Sequence, residues 1–510
     1  MNELEFEMTE NRCLNRLLSA ALTLVILATQ VPATATQAAP AAGKPNIVFI
    51  MVDDLGPEWI SSYGAEDILT PNIDKLAAGG MKFTNAYSMP QCTPTRATLL
   101  TGQYPFRHGW VNHWDVPRWG AGCHFDPKHN LSFARLLKKA GYATAIAGKW
   151  QINDFRLQPN ILREHGFDEW SMWTGYESQN PPSAERYWDA YVHTNSGSRT
   201  HKGKFGPDIY NEFLIDFMKR HRDGPQRDQP MMLYYPLALT HGPLVHTPSE
   251  PDAGTSLGKH KAMVRYTDLL VGKLVDALDK LKIRDRTIVI FTTDNGSGGN
   301  ITGRMNGRAV RGGKASLTEN GMRAPFIVNG PGLVPAGVTT DALTDFTDLL
   351  PTFVELAGAE LPGGVVIDGK SIADVILGKL KAGGKLKDVG KEKDGPREWI
   401  MAMGFGPARL DGNGVRPAVD YADRVVRGKR FKIHVLGGKV AGLYDLKNDP
   451  AEETNLIDSD EAVHVAARER LAAVVEGFPS KDGRPRYDPL PRQPWDLTVE
   501  ESEEKSGFRR

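Results

Sequence analysis

The sequence predicts an α/β fold: a large, mixed, mostly parallel sheet flanked by helices, followed by a small antiparallel sheet with one helix. Three observations predict it. Continuous apolar runs rich in β-branched residues recur at Pro45–Val52, Met231–Pro236 and Thr287–Thr292, the pattern of strands buried on both faces of a parallel sheet. Segments of helical period lie between them, as crossover connections require. Beyond Gly358 the chain turns to Gly, Lys and Asp until about residue 396, and short alternating strands then follow from Trp399 to Leu446.

Of the 510 residues, 40% are hydrophobic and 24% charged, enough apolar material for a packed core. Lys plus Arg and Asp plus Glu both number 62, so the chain carries no net charge. That balance excludes a protein drawn as a whole to nucleic acid or to an anionic membrane. Attraction for an anionic substrate has to be local.

Taken in order, the chain opens with Arg12 and Arg16, an apolar run from Leu17 to Ala28, and Val31-Pro32-Ala33-Thr34-Ala35. This is a basic region, an apolar core and a small-residue cleavage site, so residues 1–35 are predicted to be a signal peptide, with an N-terminal anchor as the alternative. The run is short for a membrane span, so no stable insertion is expected. The mature protein is then exported, to the periplasm or the exterior. Cys13 leaves with the signal, and of the three cysteines Cys92 and Cys123 remain. A Cys92–Cys123 disulfide is one reading in an oxidising compartment; a buried, unpaired Cys123 is the other.

The strand Pro45–Val52 ends in Asp53-Asp54. Ligands of open α/β sheets sit beyond the carboxyl ends of strands, so two acids there suit a hard cation, or they cap a turn. Asn72 to Gly79 reads as a helix with a Gly stop. At Pro90-Gln91-Cys92-Thr93-Pro94-Thr95-Arg96 a helix starts, with Thr93 or Thr95 as its cap and Pro94 in its first turn. Cys92 then lies at the positive end of a helix dipole, one turn from Arg96, which favours a thiolate or an anionic ligand; a buried structural cysteine is the plainer reading. Leu131 to Ala140 is a second helix, capped by Asn130 and stopped by Gly141. Tyr142 to Ala147 is a strand that delivers Lys149 at its end. Residues 152 to 210, full of aromatics, Gly and Pro without a period, read as long loops with short elements around a rim.

Ile209 to Arg220 is helical. The strand Met231–Pro236 leads to Thr240-His241-Gly242-Pro243 and His246; His241 is either a satisfied structural histidine or a catalytic one in a Pro/Gly loop. His260 to Leu281 carries apolar residues at helical spacing and faces the core. Thr287 to Thr292 is a strand followed by Asp294-Asn295-Gly296, repeating the arrangement at Asp53-Asp54. In Arg311-Gly312-Gly313-Lys314 the glycines permit close backbone approach to an anion and Lys314 supplies charge. Phe326 to Val328 is a strand and Phe346 to Ala357 a helix. Residues 460 to 476 read as the helix of the small C-terminal sheet, and the tail beyond Pro479 as extended. The predicted organisation is a catalytic domain at 45–380, a C-terminal α+β subdomain at 396–480 and a tail at 481–510.

Six stretches, in order, resemble the type I sulfatases of the alkaline-phosphatase-like superfamily. Cys92-Thr93-Pro94-Thr95-Arg96 with Thr101-Gly102 resembles the family's maturation signature, and Gly141 to Trp150 its second signature. Thr292 to Gly296 resembles its metal strand. Arg311 to Lys314 and Arg323 to Ile327 resemble the stretch around its second sulfate-binding lysine. Leu443 to Leu456 resembles its C-terminal sheet motif.

The resemblance implies that Cys92 is oxidised to Cα-formylglycine by a formylglycine-generating maturation enzyme, and that its hydrated aldehyde is the nucleophile. It implies one Ca²⁺ held by Asp53, Asp54, Asp294, Asn295 and the matured residue 92. Lys149 and Lys314 then neutralise sulfate charge, His241 protonates the leaving oxygen, and Arg96 orients the modified residue. One position departs from the pattern: where the family continues Gly-Lys-Trp-His, this chain has Gln151, which can hydrogen-bond but cannot titrate. The implied function is an exported sulfatase or arylsulfatase acting on a sulfated carbohydrate or aryl sulfate. The alternatives are a phosphonate or phosphate-ester hydrolase of the same superfamily and a non-catalytic sulfated-glycan-binding protein. For the alcohol half, Trp110, Trp114, Trp119, Trp170 and Trp173 are either platforms for sugar rings or core residues.

Overall fold

The computed structural model describes residues 43–379, 395–404, 406 and 408–505. The segment expected to be a signal peptide, with Cys13, and most of the Gly/Lys/Asp connection lie outside the described residues. No described helix is long and apolar enough to cross a membrane.

Strand β1 (Asn46–Val52) is the axis of the catalytic part. All seven of its residues are buried, because the two alternating faces of the strand are both covered. Ile47, Phe49 and Met51 point into one apolar layer, shared with Phe133, Leu350 and Phe353. Val48, Ile50 and Val52 point into the other, shared with Leu214, Met263, Leu270 and Leu274. The other strands of the same sheet are β2 (Met81–Phe83), β3 (Ala143–Lys149), β4 (Glu169–Trp173), β5 (Tyr191–Thr194), β6 (Gly197–Thr200), β7 (Met231–Pro236), β8 (Thr287–Thr293), β9 (Phe326–Asn329) and β10 (Val338–Thr340). They form a ten-stranded sheet in the order β10-β2-β9-β8-β1-β7-β3-β4-β5-β6. The five strands from β8 to β4 are mutually parallel, and β9, β5 and β6 add antiparallel pairs at the margins. The sheet is therefore mixed and mostly parallel, as predicted.

Helices α1 (Pro71–Ala78), α4 (Gly206–Asp223) and α5 (Ser256–Lys280) contribute to one apolar layer. Helices α2 (Cys92–Thr101), α3 (Phe133–Lys139) and α6 (Leu349–Leu356) contribute to the other. The C-terminal part is a four-stranded antiparallel sheet, β11 (Ile400–Met403), β12 (Arg424–Arg427), β13 (Phe431–Leu436) and β14 (Lys439–Asp445), with α7 (Ala462–Glu476). Its apolar side packs with Tyr87, Tyr104 and Phe106 of the catalytic part.

The structure corrects several expectations. Residues 152 to 210 do carry short elements between loops, and these join the sheet rather than standing apart at a rim: β4 extends the parallel sheet and β5–β6 form a hairpin on it. Asn130 does not cap α3; Ser132 stands at that position, and the Asn130 amide donates to the Asp126 and Arg486 carbonyls. The segment after Gly358 is not wholly exposed, because Ile372, Ala373, Val375 and Ile376 are buried. The tail beyond Pro479 lacks regular structure until a short helix at Val499–Lys505, yet it is docked: Leu490 N donates to Gly122 O (2.9 Å) and Asp488 N to Asp126 Oδ2 (2.9 Å). Both cysteines are buried and unpaired, which removes the disulfide reading.

Two histidines of this core set a pH dependence. His108 and His165 are fully buried, and burial pushes each ring down to about 3. His108 accepts from Trp110 N at Nδ1 (3.0 Å) and meets Thr98 Oγ1 at Nε2 (3.1 Å), so its neutral form is fully used. In the unfolded chain both rings titrate near the ordinary histidine value and bind protons that the folded state does not. Their contribution to stability is complete above that value and is lost as pH falls from it toward about 3. Unfolding free energy is expected to fall by about 1.4 kcal/mol per pH unit per histidine in that range. His108→Gln is expected to show a shallower slope in urea titrations between neutral and mildly acidic pH; an unchanged slope would remove His108 from the account.

Candidate active site

In the register of the parallel strands Val52 pairs with Thr293 and Met51 with Pro236, so the carboxyl ends of β1, β8, β7 and β3 lie along one edge. Asp53-Asp54, Asp294-Asn295, the loop to His241 and Lys149 all follow from those ends. Cys92 opens α2 against the same edge. The ten residues singled out in the sequence are thereby brought into one buried pocket.

Two linked charge clusters make up the pocket. In the first, Lys149 Nζ contacts Asp53 Oδ2 at 2.6 Å, and Arg96 Nη2 bridges Asp53 Oδ2 (3.2 Å) and Asp294 Oδ2 (2.8 Å). Arg96 Nη1 also donates to the Lys149 carbonyl at 3.1 Å. In the second, Lys314 Nζ contacts Asp54 Oδ1 at 2.7 Å, Asn295 Nδ2 donates to Asp54 Oδ1 at 2.6 Å, and His241 Nε2 stands 3.8 Å from Asp54 Oδ2. Asp54 N donates to Asp294 Oδ1 at 3.2 Å and ties the clusters together. Three carboxylates thus face three permanent cations.

Burial raises both Asp53 and Asp294, and the neighbours decide which stays ionised. For Asp53 the pull of Lys149, Arg96 and Lys314 outweighs burial and holds the carboxyl well below the carboxylate range. For Asp294 burial, reinforced by the adjacent Asp53 charge, wins over Arg96 and pushes the carboxyl well up. Burial would also raise the Cys92 thiol, but Lys149, His113 and Lys314 reverse that and leave it well below the ordinary thiol value. His241 is pushed down to about 4 by burial, which outweighs the attraction of Asp54, so its ring is neutral at neutral pH.

Some expectations fail in detail. Neither Thr93 nor Thr95 caps α2: the helix begins at Cys92, Thr93 Oγ1 donates to Trp114 O (3.0 Å), and Thr95 Oγ1 donates to Asp294 O (2.7 Å). Both hydroxyls lock α2 to the strand edge and to the 114 loop. Gly312 and Gly313 serve loop packing: a Cβ on either would meet the backbone of residues 297–298 or 320–321 within 2.6 Å. Trp110, Trp114, Trp170 and Trp173 are all buried and only Trp119 is partly open, so four of the five tryptophans are core and cannot offer a face to a sugar. His246 is exposed and stacks on Trp188 (5.2 Å), outside the pocket.

Two residues of the pocket escaped the sequence reading. Arg186, stacked 4.0 Å over Trp173, places Nη1 3.2 Å from His241 Nδ1. Because Nδ1 is also 2.7 Å from the Gly242 carbonyl, the ring's two neighbours favour opposite tautomers. His113 Nε2 stands 3.2 Å from Gln151 Nε2, and the ring is one of the groups that hold the Cys92 thiol down. Both lie in segments with no period, and no local spacing marks either of them.

Residues 45–359 match the sulfatase family model. N-acetylgalactosamine-6-sulfatase of Canis lupus familiaris is 36% identical over 363 residues, covering 67% of each chain. Arylsulfatase A of Bos taurus is 31% identical over 481 residues, covering 85% of this chain and 87% of its own. Among solved structures, Ps i-CgsB in complex with k-i-k-neocarrahexaose superposes with a TM-score of 0.69 at 26% identity, covering 87% of this chain and 94% of that one. With the carboxylate and lysine clusters gathered around Cys92 at one sheet edge, the chain belongs to the sulfatase family and is a sulfuric ester hydrolase.

Proposed function

We propose that the protein is an exported sulfatase acting on a sulfated carbohydrate, with Cys92 matured to Cα-formylglycine and one Ca²⁺ held by Asp53, Asp54, Asp294, Asn295 and residue 92. The observation that carries this is the placement of Cys92: it is fully buried on the first turn of α2, inside the field of Lys149 and Lys314. The residues fit the cation. Their donors are oxygens, as a hard ion needs, and the buried Asp53 Oδ1 and Asn295 Oδ1 have no hydrogen-bond partner. The side-chain charges of the pocket sum to zero. A divalent cation leaves it two charges positive, which suits a sulfate monoester and one ionised oxygen.

When present, the aldehyde hydrate supplies an oxygen nucleophile and the cation polarises sulfate oxygens. The chain's own residues do the rest. Lys149 and Lys314, already aimed at the pocket by Asp53 and Asp54, turn their ammonium groups on the sulfate oxygens. Arg96 fixes the two carboxylates it bridges. His241, neutral before substrate binds, takes up a proton as the anionic sulfate enters beside it and delivers that proton from Nε2 to the leaving oxygen, and Tyr187, whose hydroxyl donates to the His241 (2.5 Å) and Ala238 (2.7 Å) carbonyls, holds that loop. The carbohydrate reading is supported by the relatives named for an amino-sugar sulfate and by the neighbour solved with a carrageenan-type oligosaccharide. Export is supported by the basic and apolar N-terminus.

Protonation matters in proportion to the basicity of the leaving alcohol. His241→Ala is therefore expected to slow hydrolysis of a sugar sulfate by about 10²-fold or more and of 4-nitrophenyl sulfate far less. Equal losses on both substrates would contradict the acid role. For the metal, exhaustive chelation is expected to abolish turnover and Ca²⁺ to restore it, and Asp294→Ala is expected to leave no bound calcium by elemental analysis. Full activity without metal would contradict the site. A screen of sulfated mono- and polysaccharides identifies the alcohol.

A further inference from the structure

We propose that His113 supplies the imidazole that holds the reacting side chain of residue 92, in place of the histidine that the resemblance leads one to expect at 151, and that Gln151 is its support. The inference rests on residue 92 being the nucleophile. It starts from the sequence anomaly, a Gln after Gly148-Lys149-Trp150, and ends at a histidine that is distant in sequence and adjacent in space.

Gln151 is not a free substitute for an imidazole. Its own side chain is 3% exposed and its Nε2 lies 3.2 Å from His113 Nε2. The Gln151 amide can donate through Nε2 or, turned over, accept at Oε1, which has no other partner, so it supports the ring in either tautomer. The backbone of Gln151 lies at φ 81°, in the left-handed region that a non-glycine residue adopts at a cost of about 1 kcal/mol or more. That conformation directs the amide toward His113, and the strain is held by the hydrogen bond from Val116 N to Gln151 O (3.1 Å).

His113 is fixed from every other side as well. Its backbone N donates to Gly406 O (2.8 Å), and Ala408 N donates to its carbonyl (3.1 Å), so the C-terminal part clamps it. The next residue, Trp114, is tied to the first turn of α2 in both directions: Thr93 Oγ1 donates to its carbonyl (3.0 Å) and its N stands 3.3 Å from Thr93 Oγ1. Two residues on, Asp115 is half-buried, and Gly175 clears room for it, since a Cβ there would meet Asp115 Oδ1 at 2.7 Å. A loop with only a packing role has no need of these anchors on the nucleophile's helix, the lysine strand and the C-terminal part together. They hold the imidazole in the loop that packs on the first turn of α2, where residue 92 stands one position before Thr93.

The test measures steady-state and burst kinetics on 4-nitrophenyl sulfate with formylglycine-bearing protein, for wild type, H113A, H113N and the double variant H113A/Q151H. H113A is expected to lower kcat by about 10²-fold with KM changed by no more than about threefold, because the ring acts on the reacting group rather than on substrate binding. H113N, which retains a hydrogen-bonding side chain, is expected to lie between wild type and H113A. Returning the imidazole to position 151 in H113A/Q151H is expected to recover at least about tenfold over H113A, which a merely structural role cannot do. H113A with wild-type kcat, a loss confined to KM or to thermal stability, or a double variant no better than H113A would each overturn the proposal. If H113A fails to fold, the order wild type, H113N and the ratio of Q151H to H113N/Q151H decide by the same criterion: an asparagine cost that Q151H does not lessen overturns it. Wild-type protein that carries formylglycine and is inert on every sulfate ester would instead overturn the parent reading.

Discussion

Replacing Cys92 by Ala is expected to abolish sulfate-ester hydrolysis, a loss of at least about 10⁴-fold in kcat, while leaving the fold in place. The size of the effect follows from geometry. In the proposed reaction Lys149, Lys314 and His241 act on a sulfate under attack by residue 92, and His113 acts on that residue itself, so without its reacting atom their contributions have nothing to stabilise. The fold survives because the deletion is one sulfur atom at the end of a helix whose anchors are elsewhere, in Thr93, Thr95 and Arg96. Circular dichroism and urea unfolding check the second half of the statement. A C92A protein with more than about a thousandth of wild-type turnover would show that residue 92 is not the nucleophile.

Arg96→Leu is expected to cost about 3–5 kcal/mol of stability and all measurable activity. Arg96 is 2% exposed, and its guanidinium touches Asp53, Asp294 and the Lys149 carbonyl at once. Removing it leaves buried carboxylates at the ends of β1 and β8 without their shared cation, and the strand ends lose a cross-link. Arg96→Lys is expected to recover little, because one ammonium cannot span the positions that the planar fork spans. Urea midpoints for wild type and both variants check this; R96L within about 1 kcal/mol of wild type would show that the bridge contributes nothing net.

Much of this site is legible in the chain because it sits at strand ends. A strand buried on both faces announces itself as an unbroken apolar run, and the first polar residues after it fall at the sheet edge. That is how Asp53-Asp54, Lys149, His241 and Asp294-Asn295 are placed from sequence. What is illegible depends on contacts across the chain. His113 and Arg186 lie in aperiodic segments, and only the packing of the 113–119 loop on α2 and the stacking of Arg186 on Trp173 bring them inward. The tryptophans mislead for a related reason: an aromatic-rich, Gly/Pro-broken stretch reads as a rim, but β4 carries Trp170 and Trp173 into the sheet and buries them. Asn130 and the α2 threonines are lost as caps because hydroxyls and amides near a helix start have tertiary partners that compete for them.

The account turns on what residue 92 is in active protein. Peptide mass spectrometry across residues 85–107, on protein produced alongside a formylglycine-generating enzyme, tests it most directly. Because Cys92 is fully buried in the folded chain, conversion has to precede folding, and turnover is expected to scale with the fraction of chains carrying the aldehyde or its hydrate. Active preparations that contain only unmodified cysteine at position 92 would contradict the account.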